Sequence, residues 1–218
     1  MAYLDDITVV GKPTAVRKAW DHLCGTGPDS LEAVGLKVRP DKCGVYGGSG
    51  LRDRQRPVAA LAKSLGVKHH RQGFTVVGVP IGNDDYMRSE LANRAQKIHE
   101  LISECMSLPL SKQAQFLLLR ASLSVRMAHL QRTVAWRHLV APTTGVEQAV
   151  ISAAAHIFRL PVGEGPGGAY PVPGTALKQL RLPFRHAGFG LPASSEHGAQ
   201  AAFLAGAASA QLVMKDAP

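Results

Sequence analysis

The sequence has few cysteines and lacks an apolar run long enough to span a membrane. Its three cysteines, Cys24, Cys43 and Cys105, are widely spaced and form no Cys-x-x-Cys pair. This pattern argues against a disulfide framework and indicates a reducing, intracellular compartment, nucleus or cytoplasm, with buried or incidental thiols. Asp5 and Asp6 stand where a basic leader would lie, so we expect neither a signal peptide nor a membrane partner.

Acidic residues are scarce relative to basic ones. Lys and Arg number 25 against 16 Asp and Glu, which gives the 218 residues a formal charge of +9. The excess is +5 over residues 1–83, +3 over 84–160 and +1 over 161–218. A basic balance favours a polyanionic partner, most simply nucleic acid, and predicts its contacts in the first two thirds of the chain.

The first distinctive stretch is Tyr3-Leu4-Asp5-Asp6, which precedes a β-branched run at 7–10. β-Branched residues favour a strand, and aspartate tolerates a tight turn. The stretch therefore predicts a hairpin with Asp5 and Asp6 at its tip. Adjacent carboxylates repel each other unless a cation lies nearby, and carboxylate oxygens suit Mg²⁺. Two interpretations stay open, a solvated turn and a metal-binding pair.

A helix is predicted over 13–23, a short helix over 30–34, and then a basic segment over 35–46. Leu36 and Val38 alternate with basic residues as in a half-buried strand, and a turn at Pro40 separates them from a second short strand. Lys42 lies in this segment, and its residue type alone indicates a solvated surface lysine.

Residues 74–82 predict a β-hairpin, in which Gly78 and Gly82 permit close approach of another backbone. An ordinary core hairpin is the alternative. Before it, 58–65 predicts a helix, and His69-His70 predicts a solvated basic loop rather than a metal site, since adjacent side chains diverge.

From Asn83 onward the pattern becomes helical. Asn83 or Asp84 caps a helix with an apolar stripe. The stripe comprises Met87, Leu91, Ala95, Ile98, Ile102 and Cys105. Ser111 caps a second, long helix that continues to about Val134.

The rest of the chain predicts a third helix over about 146–158 and a Pro- and Gly-rich linker over 161–175. An Ala-rich helix over about 198–212 closes the chain, and its composition indicates helix packing rather than chemistry.

Taken in order, these segments resemble reverse transcriptases of the non-LTR retrotransposon type. Residues 3–6 are similar to the YxDD box, and 35–43 to a "GL-x-hydrophobic-N-x-x-K-C" segment with Pro40 or Asp41 replacing the asparagine. Residues 77–82 are similar to "LG-x-P-I-G", and 113–133 to "Q-x-x-x-LLR" and its continuation. Residues 182–191 resemble an "LP-x-x-x-GG-x-G-L" segment.

The resemblance implies an α+β fold: a partial polymerase palm of antiparallel hairpins and helices, followed by an α-helical thumb-like bundle. Residues 1–83 would be the partial palm, with the acidic hairpin and a hairpin that grips the primer. Residues 84–160 would be the thumb-like region, and 161–218 a linker with a C-terminal helical segment.

The resemblance also implies template-directed nucleotidyl transfer with two Mg²⁺ (or Mn²⁺) ions. Asp5 and Asp6 would be metal ligands and catalytic residues, and Lys42 would neutralise or protonate the leaving pyrophosphate. The implied primer-grip residues are Phe74, Val77, Gly78, Pro80 and Gly82. The implied nucleic-acid-binding residues are Arg88, Arg94, Lys97, Arg120 and Arg126.

In the family, a third metal-binding aspartate and the fingers precede the acidic hairpin. We therefore expect a polymerase fragment that is inactive alone, with an RNA template, a DNA primer and the missing N-terminal half as partners. A non-catalytic nucleic-acid-binding remnant or accessory domain is the alternative, and a poorly folded product of a truncated gene is a third.

Overall fold

The computed structural model describes residues 2–3, 6–25, 27–48, 52–161, 172–192 and 196–215. The protein is a mixed α+β structure, mostly helical, and its described strands form three two-stranded sheets. The α+β class predicted from the sequence is confirmed at this level. The chain divides into two compact units, Met1–Met87 and Arg88–Pro218. Within the described ranges, every helix is too short or too polar to cross a membrane.

The first unit combines short strands with two helices. Its elements are β1 Ala2–Tyr3, β2 Asp6–Ile7, α1 Pro13–Leu23, β3 Gly44–Tyr46, α2 Arg52–Leu65, β4 Lys68–His70, β5 Gly73–Val76 and β6 Val79–Gly82. Strands β1 and β2 pair antiparallel, as do β5 and β6. Strands β3 and β4 pair parallel, and α2 connects them, as a parallel pair requires.

Helix α2 carries the core of the first unit. It packs against α1, β3 and β4. Its buried apolar residues are Val58, Leu61, Ala62 and Leu65. Their spacing of three and four residues places them on one side of the helix. The helices predicted over 13–23 and 58–65 are therefore confirmed, the second as the C-terminal part of α2.

Helix α3, Asp84–Ser107, begins in the first unit and continues into the second. The Asn83 side chain accepts a hydrogen bond from the Tyr86 amide at 2.8 Å, which caps the helix start. The predicted stripe is confirmed, since all six of its residues are buried.

The second unit is helical apart from its loops. Its further helices are α4 Lys112–Leu118, a π-helix Leu119–Leu123, α5 Ala128–Thr133, α6 Trp136–Phe158, α7 Gly174–Arg181, a 3-10 helix Phe184–His186 and α8 Glu196–Lys215. Helix α6 packs against α4, α5, α7 and α8. Phe116, Phe158 and Phe189 form an aromatic cluster with ring centroids 4.3–5.7 Å apart.

Two predictions for the first unit are wrong. Residues 36–39 form no strand, and Leu36 is 59% exposed, because the strand that pairs in this region is β3 at 44–46. His69 and His70 lie in β4 rather than in a solvated loop. They are half-buried because the parallel pairing with β3 and the packing of α2 cover them.

Predictions for the second unit are wrong at three helix bounds. The long helix expected from Ser111 is capped as predicted, by a hydrogen bond from the Ala114 amide to the Ser111 hydroxyl. It is interrupted at Ser124, whose amide donates to Leu119 O and whose hydroxyl donates to Arg120 O. Helix α6 begins ten residues before the predicted 146, and α7 begins inside the predicted linker.

Candidate functional site

Asp6, the second residue of the acidic pair, lies in β2 of the β1–β2 hairpin. Backbone pairing joins Tyr3 to Asp6 and Ala2 to Ile7. The sequence predicted a strand after the two carboxylates, but β2 already includes Asp6. Asp5 lies outside the described residues, and for Asp6 the structure describes the backbone alone. The two metal-ligand assignments stay predictions.

Lys42 ends a 3-10 turn, Pro40–Lys42, that begins after an extended Arg39. Its amide donates to Arg39 O at 3.0 Å, and its side chain is exposed. The neighbouring Arg39 and Asp41 side chains pair at 2.8 Å on the surface. An exposed lysine held by a short turn is free to reach an anion, which is compatible with the predicted contact to pyrophosphate.

The β5–β6 hairpin is the best-defined of the predicted site elements. Its register pairs Phe74 with Ile81 and Val76 with Val79, which leaves Val77 and Gly78 as a two-residue turn. Both turn residues have positive φ, 46° and 77°, as a type I′ hairpin turn requires. Val77 is 41% exposed, so the turn is the accessible tip of the hairpin.

The remaining predicted primer-grip residues are engaged within the first unit. Phe74 is half-buried, and its ring lies 5.4 Å from Tyr46 and 5.9 Å from His70, centroid to centroid. Pro80 is fully buried. A nucleic acid that approaches this hairpin would therefore meet the tip rather than the ring of Phe74 or Pro80.

Tyr86 holds the hairpin in place, a role that the sequence patterns did not indicate. A Cβ atom on Gly73 would lie 2.2 Å from the Tyr86 ring, and one on Gly82 would lie 2.6 Å from it. The two glycines are paired across the strands and allow the ring to pack against their backbone. The sequence feature that could have indicated this role is a glycine at each end of the hairpin, followed by an aromatic residue in the first turn of the next helix.

The packing around Phe74 also affects the titration of His70. Burial lowers the pKa of His70, and the nearby Lys68 and His69 lower it further. A Cβ on Gly44 would lie 2.4 Å from the imidazole Nε2 of His70, so the ring lies close against the β3 backbone. The neutral imidazole is therefore the form that this packing favours.

The predicted basic residues lie on two elements of the second unit. Arg88 and Lys97 are exposed on α3, and Arg94 is half-buried there. Arg120 lies in the π-helix, with its guanidinium carbon 4.1 Å from the centroid of the Phe184 ring. Arg126 is exposed in the turn before α5. Arg120 thus packs its guanidinium against an aromatic ring.

The cysteines are free thiols in three different environments. Cys24 is exposed, Cys43 half-buried and Cys105 buried, and burial raises the pKa of each thiol. Among the described residues, no three His, Cys, Asp or Glu side chains are grouped as metal ligands. The side chains of Asp5 and Asp6 are not among the described ones, so their predicted Mg²⁺ site stays a prediction.

No protein-family model, no curated protein and no solved structure matches this chain. The resemblance to reverse transcriptases therefore depends on the sequence segments themselves and on their order.

Proposed function

We propose that this chain is the palm-to-thumb segment of a reverse-transcriptase-type RNA-directed DNA polymerase and that it binds a primed nucleic-acid template. The main support is the β5–β6 hairpin, which the residue pattern of 74–82 predicted and whose sequence is similar to the primer-grip segment. It has an exposed two-residue tip and runs directly into the capped helix α3. A hairpin packed against the first turn of the helix that follows it could hold the end of a primer.

The proposed chemistry assigns one task to each group. Asp5 and Asp6 would hold Mg²⁺ (or Mn²⁺), which when bound supplies charge stabilisation for phosphoryl transfer. Lys42, exposed at the end of its turn, would place a positive charge or a proton on the leaving pyrophosphate. The Val77–Gly78 tip would position the primer end.

Basic side chains would bind the phosphates of the duplex. Arg88, Lys97 and Arg126 are exposed, and the chain as a whole carries a formal charge of +9. Contacts of this kind position nucleic acid without reading its sequence, and they weaken as salt rises.

The first experiment measures primer extension on a primed RNA template with Mg²⁺ or Mn²⁺. The resemblance implies a third metal-binding aspartate, and two carboxylates alone satisfy Mg²⁺ poorly. We therefore expect the 218-residue polypeptide by itself to bind the template without extending the primer. Extension that Asp5→Asn abolishes, and that Asp29→Asn in an exposed turn leaves intact, would show an active polymerase instead.

The second experiment measures affinity for the primed duplex as a function of salt. Each lost phosphate contact lowers the slope of log K against log salt by about 0.9. We expect this decrease for Arg88→Gln and Lys97→Gln and no decrease for Lys63→Gln, an exposed lysine of α2 outside the predicted set. Absence of duplex binding by the wild-type chain would overturn the proposal.

A second candidate function, a non-catalytic nucleic-acid-binding domain, is favoured by the net charge, which does not depend on the acidic hairpin. Adding a polypeptide with the palm strands and fingers of a reverse transcriptase separates the two candidates. Restored extension that depends on Asp5 supports the polymerase segment. Binding without extension in that mixture supports the second candidate.

A further inference from the structure

The loop that follows α7, residues 182–191, is held by backbone hydrogen bonds within the second unit. Six successive amides donate to carbonyl oxygens at 2.8–3.1 Å. The pairs are His186 to Pro183, Ala187 to Phe184, Gly188 to Pro183, Phe189 to Gln179, Gly190 to Leu182 and Leu191 to Leu180. A loop with this many internal bonds holds a defined conformation.

The inner side of the loop is fixed by packing. The Phe189 ring joins the cluster of Phe116 and Phe158, and Leu191 is buried. Gly188 has no space for a side chain, since a Cβ there would lie 1.9 Å from Leu182 O. The packed residues on the inner side therefore determine the conformation of the loop, and the residues on its outer side do not contribute to it.

The outer side presents Phe184, Arg185 and His186, all exposed. Phe184 is 55% exposed although the Arg120 guanidinium lies 4.1 Å from its ring centroid. The absence of a Cβ on Gly190 leaves room for that guanidinium, because such an atom would lie 3.2 Å from Arg120 Nε. A rigid loop thus holds an aromatic ring open to solvent, with a cation against the ring.

The Arg120 side chain also has one donor atom without a partner among the described residues. Its Nε atom is buried, and within the described part of the chain it has no hydrogen-bond acceptor. Buried donors are nearly always paired, so an unpaired one in a cationic group needs an explanation. An arginine placed beside an exposed ring, rather than paired with a carboxylate, is suited to an anionic ligand that also offers a flat apolar face.

We propose that Phe184, with Arg120 and Arg185, forms a stacking site for an unpaired base of single-stranded nucleic acid. The base would stack on the open part of the Phe184 ring, and Arg185 would contact the adjacent phosphate. Stacking on an aromatic residue beside basic groups is how proteins bind single strands without sequence preference. The ligand class follows from the proposed function, and the inference adds a site for the unpaired strand to the duplex contacts proposed above.

The test compares a labelled 12-nucleotide single strand with an abasic strand of the same length, by fluorescence anisotropy. The wild-type chain is expected to prefer the strand with bases. Phe184→Ala should bind that strand roughly 5- to 100-fold more weakly and bind the abasic strand unchanged, since base stacking alone is lost. Phe184→Tyr should retain the preference. Leu204→Ala, at an exposed apolar residue of α8, should behave as the wild type.

Arg185→Gln separates the phosphate contact from the base contact. It should weaken binding of both strands by the same factor and lower the salt slope by about 0.9. If Phe184→Ala binds both strands as the wild type does while the wild type still binds the primed duplex, the stacking site is wrong and the proposed function stands. If the wild type binds the single strand through Phe184 but not the duplex, the stacking site stands alone. Binding of neither nucleic acid overturns both.

Discussion

The guanidinium of Arg181 on α7 donates a hydrogen bond to the carboxylate of Glu147 on α6. The Glu147 side chain is 2% exposed, so its charge lies inside the second unit. A buried ion pair contributes little compared with an apolar pair of the same shape, but removing the arginine alone takes a charge-assisted hydrogen bond away from a buried carboxylate. The pair therefore ties α7, and the loop that follows it, to the central helix.

Arg181→Ala is expected to lower the free energy of unfolding by about 1.5–3 kcal/mol, the usual cost of losing a hydrogen bond to a charged group, measured by urea denaturation. The matched control is Arg39→Ala, which removes an exposed pair with Asp41 and should change stability by less than about 1 kcal/mol. Equal effects of the two substitutions would show that burial of Glu147 does not set the energy of the pair.

Gly73→Ala should destabilise the first unit by about 1–3 kcal/mol, because the new methyl group would overlap both the Tyr86 ring and Ile81 O. Gly27→Ala is the control, since nothing lies within 4 Å of a Cβ at that position. Thermal unfolding followed by circular dichroism measures both. A Gly73→Ala protein as stable as the control would show that the Tyr86 ring can move away without a loss of stability.

Val77→Asn should stabilise the hairpin by about 1 kcal/mol. Valine at φ 46° is strained, whereas asparagine before glycine suits a type I′ turn. Val77→Ile keeps the branched side chain and should give no gain. Denaturant unfolding of the three proteins compares them, and a gain from isoleucine as large as that from asparagine would exclude turn strain as the cause.

His70 should make the stability of the first unit depend on pH. Its pKa is lowered in the folded state by burial, so below the unfolded pKa of about 6.5 the unfolded chain binds the proton more readily. The contribution is present in full above about pH 6.5 and is lost as pH falls through the lower, folded pKa. Unfolding free energies between pH 7.5 and 5 should fall less for His70→Gln than for the wild type. Parallel pH profiles of the two proteins would contradict the assignment.

Much of the local structure could be predicted because local signals dominate it. Asn83 and Ser111 cap helices as their residue types indicate, and both α3 and the β5–β6 hairpin follow from spacing and turn chemistry. The acidic hairpin was also predicted as a pair of strands, although the position of Asp5 lies outside the described residues. These features need no knowledge of distant contacts.

Other features depend on tertiary packing, which cannot be predicted from the spacing of apolar residues along the chain. The buried residues of 116–130 keep helical spacing across the interruption at Ser124, so the pattern favours one continuous helix. These residues are Phe116, Leu119, Leu123, Met127 and Leu130. Likewise, the strand at 68–70 exists through parallel pairing with 44–46, a contact between segments more than twenty residues apart.

The exposure of Phe184 could not be predicted from the sequence either. A Phe-Arg-His run in a loop does not reveal which ring will be solvent-exposed or which cation will lie against it. Those facts depend on the π-helix that carries Arg120, which is distant in sequence from the ring, and on the conformation that brings Gly190 beside that guanidinium.

The packing of Tyr86 against Gly73 and Gly82 has a mechanical consequence. The ring belongs to the first turn of α3, so the hairpin and that turn form one stiff body with little slack between them. A strand pressed against Val77 and Gly78 would push on the helix start as well as on the tip. Force applied at two residues of a short loop would thereby be carried into the backbone of the longest helix in the described chain.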